Sequence, residues 1–130
     1  MSGEGRRRWL GTAVALVAVA APALAAQRAD SYGAIAYGPK SSAWGSASGE
    51  GTAEAAQQKA VSFCARHADD CRVVATFSNS CGAVAVVEAT GATFLATNEK
   101  RGTAENQARL ACTQKNPSGC RVAASICALP

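Results

Sequence analysis

The chain repeats itself, and the repeat constrains the fold more than any single residue does. Gly33-Ala34-Ile35-Ala36-Tyr37 returns as Gly82-Ala83-Val84-Ala85-Val86, and Cys71-Arg72-Val73-Val74-Ala75 returns as Cys120-Arg121-Val122-Ala123-Ala124, both at an offset of 49. Between them Ala56, Ala60 and Cys64 align with Ala104, Ala108 and Cys112 at an offset of 48. Two like units follow, about 32–81 and 82–127, within a single duplicated domain of residues 32–130. Whatever one half forms, the other is expected to form in the same order.

Each unit opens on a β-rich run, residues 32–37 and 82–88, whose Val, Ile and Tyr alternate with small residues as on a pleated, half-buried surface. A second short strand follows at residues 43–47 and 93–97, after turns marked by Gly38-Pro39 and Thr90-Gly91. Thr52 and Thr103 are the expected N-caps of the two helices, each with a glutamate two residues on, Glu54 and Glu105, suited to the positive helix end. Alanine at i, i+4 and i+8 draws one narrow stripe that can lie close against a sheet. Residues 72–78 and 121–127 supply the closing strands. The expected architecture is ββαβ twice, an α+β domain of mainly antiparallel sheet covered by two helices.

Residues 1–25 read as an export signal. Arg6-Arg7-Arg8 precedes an apolar run from Trp9 to Ala20, and Ala23-Leu24-Ala25 offers small residues for cleavage after Ala25, with Ala26 as the alternative. The run ends at Pro22, short of the ~20 apolar residues that a membrane-spanning helix needs. No stable membrane insertion is expected once the signal is removed. Arg6-Arg7-x-Trp9-Leu10 faintly resembles a twin-arginine signal. Residues 26–31 are expected to form a short flexible segment before the domain. The mature chain of about 105 residues carries ten basic and eight acidic side chains, a balance of +2, less than a nucleic-acid binder requires.

All six cysteines, Cys64, Cys71, Cys81, Cys112, Cys120 and Cys127, fall in the mature region, and an even number in an exported chain implies a disulfide framework. Six cysteines allow fifteen pairings. Cys64 ends a helix and Cys71 starts the next strand, with Cys112 and Cys120 in the matching places, so Cys64–Cys71 and Cys112–Cys120 are the expected local bridges. Cys81 and Cys127 remain, and joining them is expected to tie the two halves across a long loop, worth roughly 3–4 kcal/mol in the chain-entropy view.

Few side chains suit catalysis. Cys64-x-x-His67-x-x-Asp70-Cys71 has the spacing of a tetrahedral zinc site, yet the second unit keeps both cysteines and places Lys115 where a ligand would stand. The same residues could form a Cys–His nucleophile pair, but an attacking thiol must be free and its base oriented by a third group. His67 reads more simply as a cap on the C-terminal end of its helix. Gly45-x-x-x-Gly49-x-Gly51-Thr52 leads into a helix N-terminus that could hold an anion, but it lacks the lysine of a phosphate loop. There is no Gly-x-Ser-x-Gly elbow. Glu50, Glu54, Glu88, Glu99 and Glu105 sit in polar contexts as surface charges rather than as a glycosidase pair. Arg72 and Arg121 are expected to be solvated or hydrogen-bonded at the strand starts. Of six aromatics in the mature chain, Tyr37 and Trp44 flank the first hairpin turn and form the candidate contact patch, with core packing as the competing use.

Taken together, the β run at 33–37, Ala43-Trp44-Gly45, the alanine-spaced helix ending in Cys64, Cys71-Arg72-Val73-Val74, Cys81-Gly82-Ala83-Val84-Ala85 and a second round closing at Cys127 resemble the bacterial domain-of-unknown-function family 4189. The resemblance covers residues 32–127 and departs from the family pattern at Val86-Val87-Glu88, where members often continue with an aromatic and a Gly-rich turn. It implies a small exported bacterial domain, and it brings no catalytic residues with it. The expected function is a secreted or periplasmic, non-enzymatic, disulfide-stabilised interaction module, inhibitor- or immunity-like, with no cofactor or metal and a protein or cell-envelope component as partner. The alternative is an enzyme or zinc protein centred on Cys64, His67, Asp70 and Cys71.

Overall fold

The computed structural model describes residues 11, 13, 15–18 and 29–130. Arg6–Arg8, the cleavage point after Ala25 and residues 26–28 lie outside the described residues.

The elements run β1 (Tyr32–Tyr37), β2 (Trp44–Glu50), α1 (Ala53–Ala65), β3 (Arg72–Ser78), β4 (Ser80–Val87), β5 (Thr93–Asn98), α2 (Arg101–Lys115) and β6 (Cys120–Ala128). They build two separate antiparallel sheets, ordered β2-β1-β3 and β5-β4-β6. The fold is α+β, with three disulfides. The central strands are buried on both faces rather than half-buried, and this is why there are two sheets and four layers. Ala34 and Ala36 of β1 meet Ala56, Ala60 and Cys64 of α1, and Ala83 and Ala85 of β4 meet Ala104, Ala108 and Cys112 of α2. The alternate residues, Ile35, Tyr37, Val84 and Val86, turn the other way and form the core between the sheets with Phe77, Ala124 and Ala128. With period-2 alternation, one face of each strand receives small residues for the close helix and the other receives the large ones.

The duplication extends to irregularities. β1 slips against β3 between Ile35 and Ala36, and β4 slips against β6 between Val84 and Ala85, the same place in each half. The extra residues, Val74 and Ala123, are half-buried against the inter-sheet core, so each bulge re-aims a side chain inward. The β4–β5 pairing runs without interruption from Cys81↔Asn98 to Val86↔Thr93, so the departure from the family pattern at Val86–Glu88 leaves a regular ladder.

Three expectations are corrected. The chain crosses between sheets at Asn79 (φ 52°), so Cys81 already belongs to the second unit. Cys81 and Cys127 are directly opposed on β4 and β6, and their bridge staples neighbouring strands of one sheet instead of joining the halves. Thr103 is not an N-cap: the cap lies three residues earlier, at Lys100, which makes no side-chain cap bond, and α2 starts at Arg101. Thr52 does cap α1, its Oγ1 accepting from the Ala55 amide at 3.1 Å. Asn79 is itself fastened to the start of β1, donating from its backbone N–H to the Ser31 carbonyl (2.9 Å) and accepting from the Ser31 amide at Oδ1 (2.9 Å).

Candidate functional site

The two halves differ where the helix meets the second strand. Ala36 pairs with Gly45 in the first half and Ala85 with Phe94 in the second. Phe94 is half-buried among the residues packed on α2. Gly45 has no side chain, and a Cβ there would run into the Ala60 carbonyl oxygen and the Cys64 amide. Helix backbone therefore rests on strand backbone in the first half, an approach only glycine permits.

This close seat brings the C-terminal end of α1 beside Ser42–Ser46 and leaves a groove of about 620 Å³ between them. Trp44 on the strand side is 49% exposed and Phe63 on the helix side 41% exposed. The Arg66 guanidinium lies 4.7 Å from the Phe63 ring centroid, a cation–π contact that holds the charge over an apolar face. His67 completes the helix side, and none of the groove residues is acidic. Among the described residues the ion pairs are Lys59–Glu50 and Arg121–Glu88, so Arg66 is held by a ring and not by a carboxylate. By the offsets of the repeat, the counterparts of Trp44, Phe63, Arg66 and His67 are Thr93, Ala111, Gln114 and Lys115. The aromatic pair belongs to one half alone.

Asp70 fixes the rim. Its carboxylate accepts from the Ser41 hydroxyl (2.6 Å) and from the amides of Lys40 (2.7 Å) and Ser41 (3.1 Å). The Ser41 hydroxyl bond, the largest cause, holds its pKa below the ordinary aspartate value; desolvation, next in size, opposes it, and the backbone bonds add to the lowering. The β1–β2 loop is thus pinned to the start of β3.

The sequence candidates separate. Tyr37 is 2% exposed and lies in the inter-sheet core, so it is no part of a surface patch; its strand partner Trp44 is exposed. Cys64 and Cys71 are bonded to each other, as are Cys81–Cys127 and Cys112–Cys120. Asp70 points to the β1–β2 loop. Among the described residues no three His, Cys, Asp or Glu side chains gather as metal ligands. The C-cap of α1 is Arg66 rather than His67, and the His67 amide donates to the Cys64 carbonyl at 3.0 Å. Gly45 and Gly49 lie within β2, and Thr52 Oγ1 already caps the helix, beside the Glu50–Lys59 pair. Glu105 accepts from the Ser125 hydroxyl at 2.6 Å. Glu88 pairs with Arg121 at 2.7 Å, while Arg72 is exposed opposite Tyr37. Sequence reasoning missed Phe63 and Arg66; the signal lay in comparing the halves, where they replace Ala111 and Gln114.

A family model described as domain of unknown function (DUF4189) matches residues 32–127. Neither the curated proteins nor the solved structures give a match. Among the described residues no helix is long and apolar enough to cross a membrane.

Proposed function

This chain belongs to the family described as domain of unknown function (DUF4189), and from that premise we propose that it is an exported, non-enzymatic interaction module whose contact surface is the Trp44–Phe63–Arg66 groove. Export to a periplasm or beyond the cell is supported by the leader-like residues 1–25 and by bridges at all six cysteines, which persist in oxidising compartments. Bacterial origin is part of the same reading. The observation that carries the contact surface is the exposure of two aromatics with an arginine stacked on one of them, the residue types that dominate binding hot spots. A small domain held by three bridges loses little freedom on association, and this suits an inhibitor- or immunity-like partner of another exported protein.

The test places a photoreactive benzophenone side chain at Trp44 or, as a control, at exposed Leu110 on α2, in cells exporting the protein. A discrete adduct from position 44 and none from position 110 supports the reading. Adducts from neither position, or equally from both, overturn it.

A further inference from the structure

β2 is an edge strand, bonded to β1 on one side and to no other strand of the described residues. Its outer N–H and C=O groups can template an added strand, a hazard that proteins usually blunt with charge or proline. The groove end of the strand, Trp44–Ala47, carries neither; the charge of β2, Glu50, and its irregular register opposite Tyr32–Ala34 fall at the far end. The groove opens beside this edge, with Trp44, Gly45 and Ser46 on the strand side and Phe63, Arg66 and His67 on the other.

We propose that the groove accepts an extended, acidic peptide segment of a partner protein, which pairs with β2 as a fourth strand and sets its carboxylates against Arg66 and His67. This rests on the interaction-module reading and names the partner's chemistry. Two independent features converge on it. The unpaired strand edge calls for a peptide backbone, because main-chain hydrogen bonds are what strand addition supplies. The side chains call for negative charge, since the groove lining offers a guanidinium and an imidazole and no carboxylate, and the one carboxylate at its rim, Asp70, is turned to the Ser41 hydroxyl and the Lys40 and Ser41 amides instead of to Arg66. A stacked guanidinium keeps its edge free to bond a carboxylate in the fork geometry that arginine favours. The second half acts as an internal control. β5 is also an edge strand, but Phe94 fills the space beneath α2, and Thr93, Ala111 and Gln114 replace the aromatics and the arginine.

The test is an amide-resolved NMR titration of the disulfide-intact mature chain with a ten-residue peptide alternating Glu and Thr. A Lys/Thr peptide of equal length and a polygalacturonate oligomer run in parallel. The expected result is shifts confined to residues 44–46 and 63–67 and slowed exchange of the β2 amides that do not bond β1. Arg66→Gln, at an exposed position, should weaken binding about tenfold, as loss of one charge-assisted hydrogen bond implies. The proposal is overturned by no shift at millimolar peptide, by equal shifts along β5, by equal binding of the Lys/Thr peptide, by binding of the uronate alone, or by an Arg66→Gln affinity equal to wild type. A position-44 crosslink that persists while the peptide fails would sink this inference and leave the interaction reading standing.

Discussion

Phe77 lies over two glycines, Gly33 from the first half and Gly82 from the second, and a Cβ at either would strike its ring. The glycines were visible in the repeat, but the ring that needs them comes from a strand end forty-odd residues after one and just before the other. Gly82→Ala should destabilise by about 1–3 kcal/mol through overpacking and Phe77→Ala by about 3–5 kcal/mol. If contact with the ring is the cause, adding Gly82→Ala to Phe77→Ala should cost almost nothing more, a coupling that urea unfolding of the four variants measures. Asp70 gives a pH prediction. Its folded pKa is depressed, so its contribution is present above the ordinary value of 3.8 and is lost as pH falls through the lower folded value. The Lys40 and Ser41 amides should therefore exchange faster as the pH drops below about 3.8, relative to intrinsic rates. In Asp70→Asn they should be fast at neutral pH and show no such step.

At the scale of elements, the two helices show what a sequence reveals. Ala56, Ala60 and Cys64, and their partners Ala104, Ala108 and Cys112, are all fully buried, because a 3.6-residue stripe of small side chains has one use against a sheet. The start of α2 was hidden: Thr103 looks like a cap by analogy with Thr52, but the helix offset of 48 carries Thr52 to Lys100, whose amide donates to the Asn98 side chain (3.0 Å) just before the helix begins at Arg101. A lysine at that cap satisfies no helix amide and faces the positive end of the dipole. Lys100→Ser should stabilise by about 1 kcal/mol, read as a rise in the urea midpoint with unchanged slope. The groove was legible only in part. Trp44 stood out as an aromatic beside a turn, whereas Phe63 and Arg66 sit on a helix face whose orientation depends on how closely Gly45 lets α1 approach. The bridges differ as their spans do: Cys81–Cys127 closes 46 residues and Cys112–Cys120 eight. Replacing the first pair with alanines should cost about 4 kcal/mol and the second about 2.5 kcal/mol by chain entropy, compared by denaturant unfolding.

For the whole molecule, the central layer decides whether the halves can live apart. Ile35, Tyr37 and Phe77 from one half face Val84, Val86 and Ala124 from the other, and among the described residues neither sheet has another cover for that side. Two sheets rather than one were hard to foresee, since strands of alternating small and large residues look half-buried until both sides prove occupied. A fragment of residues 29–79 should keep its Cys64–Cys71 loop yet give a poorly dispersed NMR spectrum and self-associate, because a three-stranded sheet with a bare apolar face is a sticky surface. A well-dispersed monomer would count against the shared core. The ring of Phe77 also makes the two halves unequal. Gly33 faces Phe77 in register, while Gly82 faces Ile126, and a single aromatic fills the space that both glycines leave. A molecule made of two first halves would bring two such rings to one vacancy and is expected to be overpacked there. The halves share a pattern, but like a left and a right glove they can no longer be exchanged, and one of them carries a groove that the other lacks.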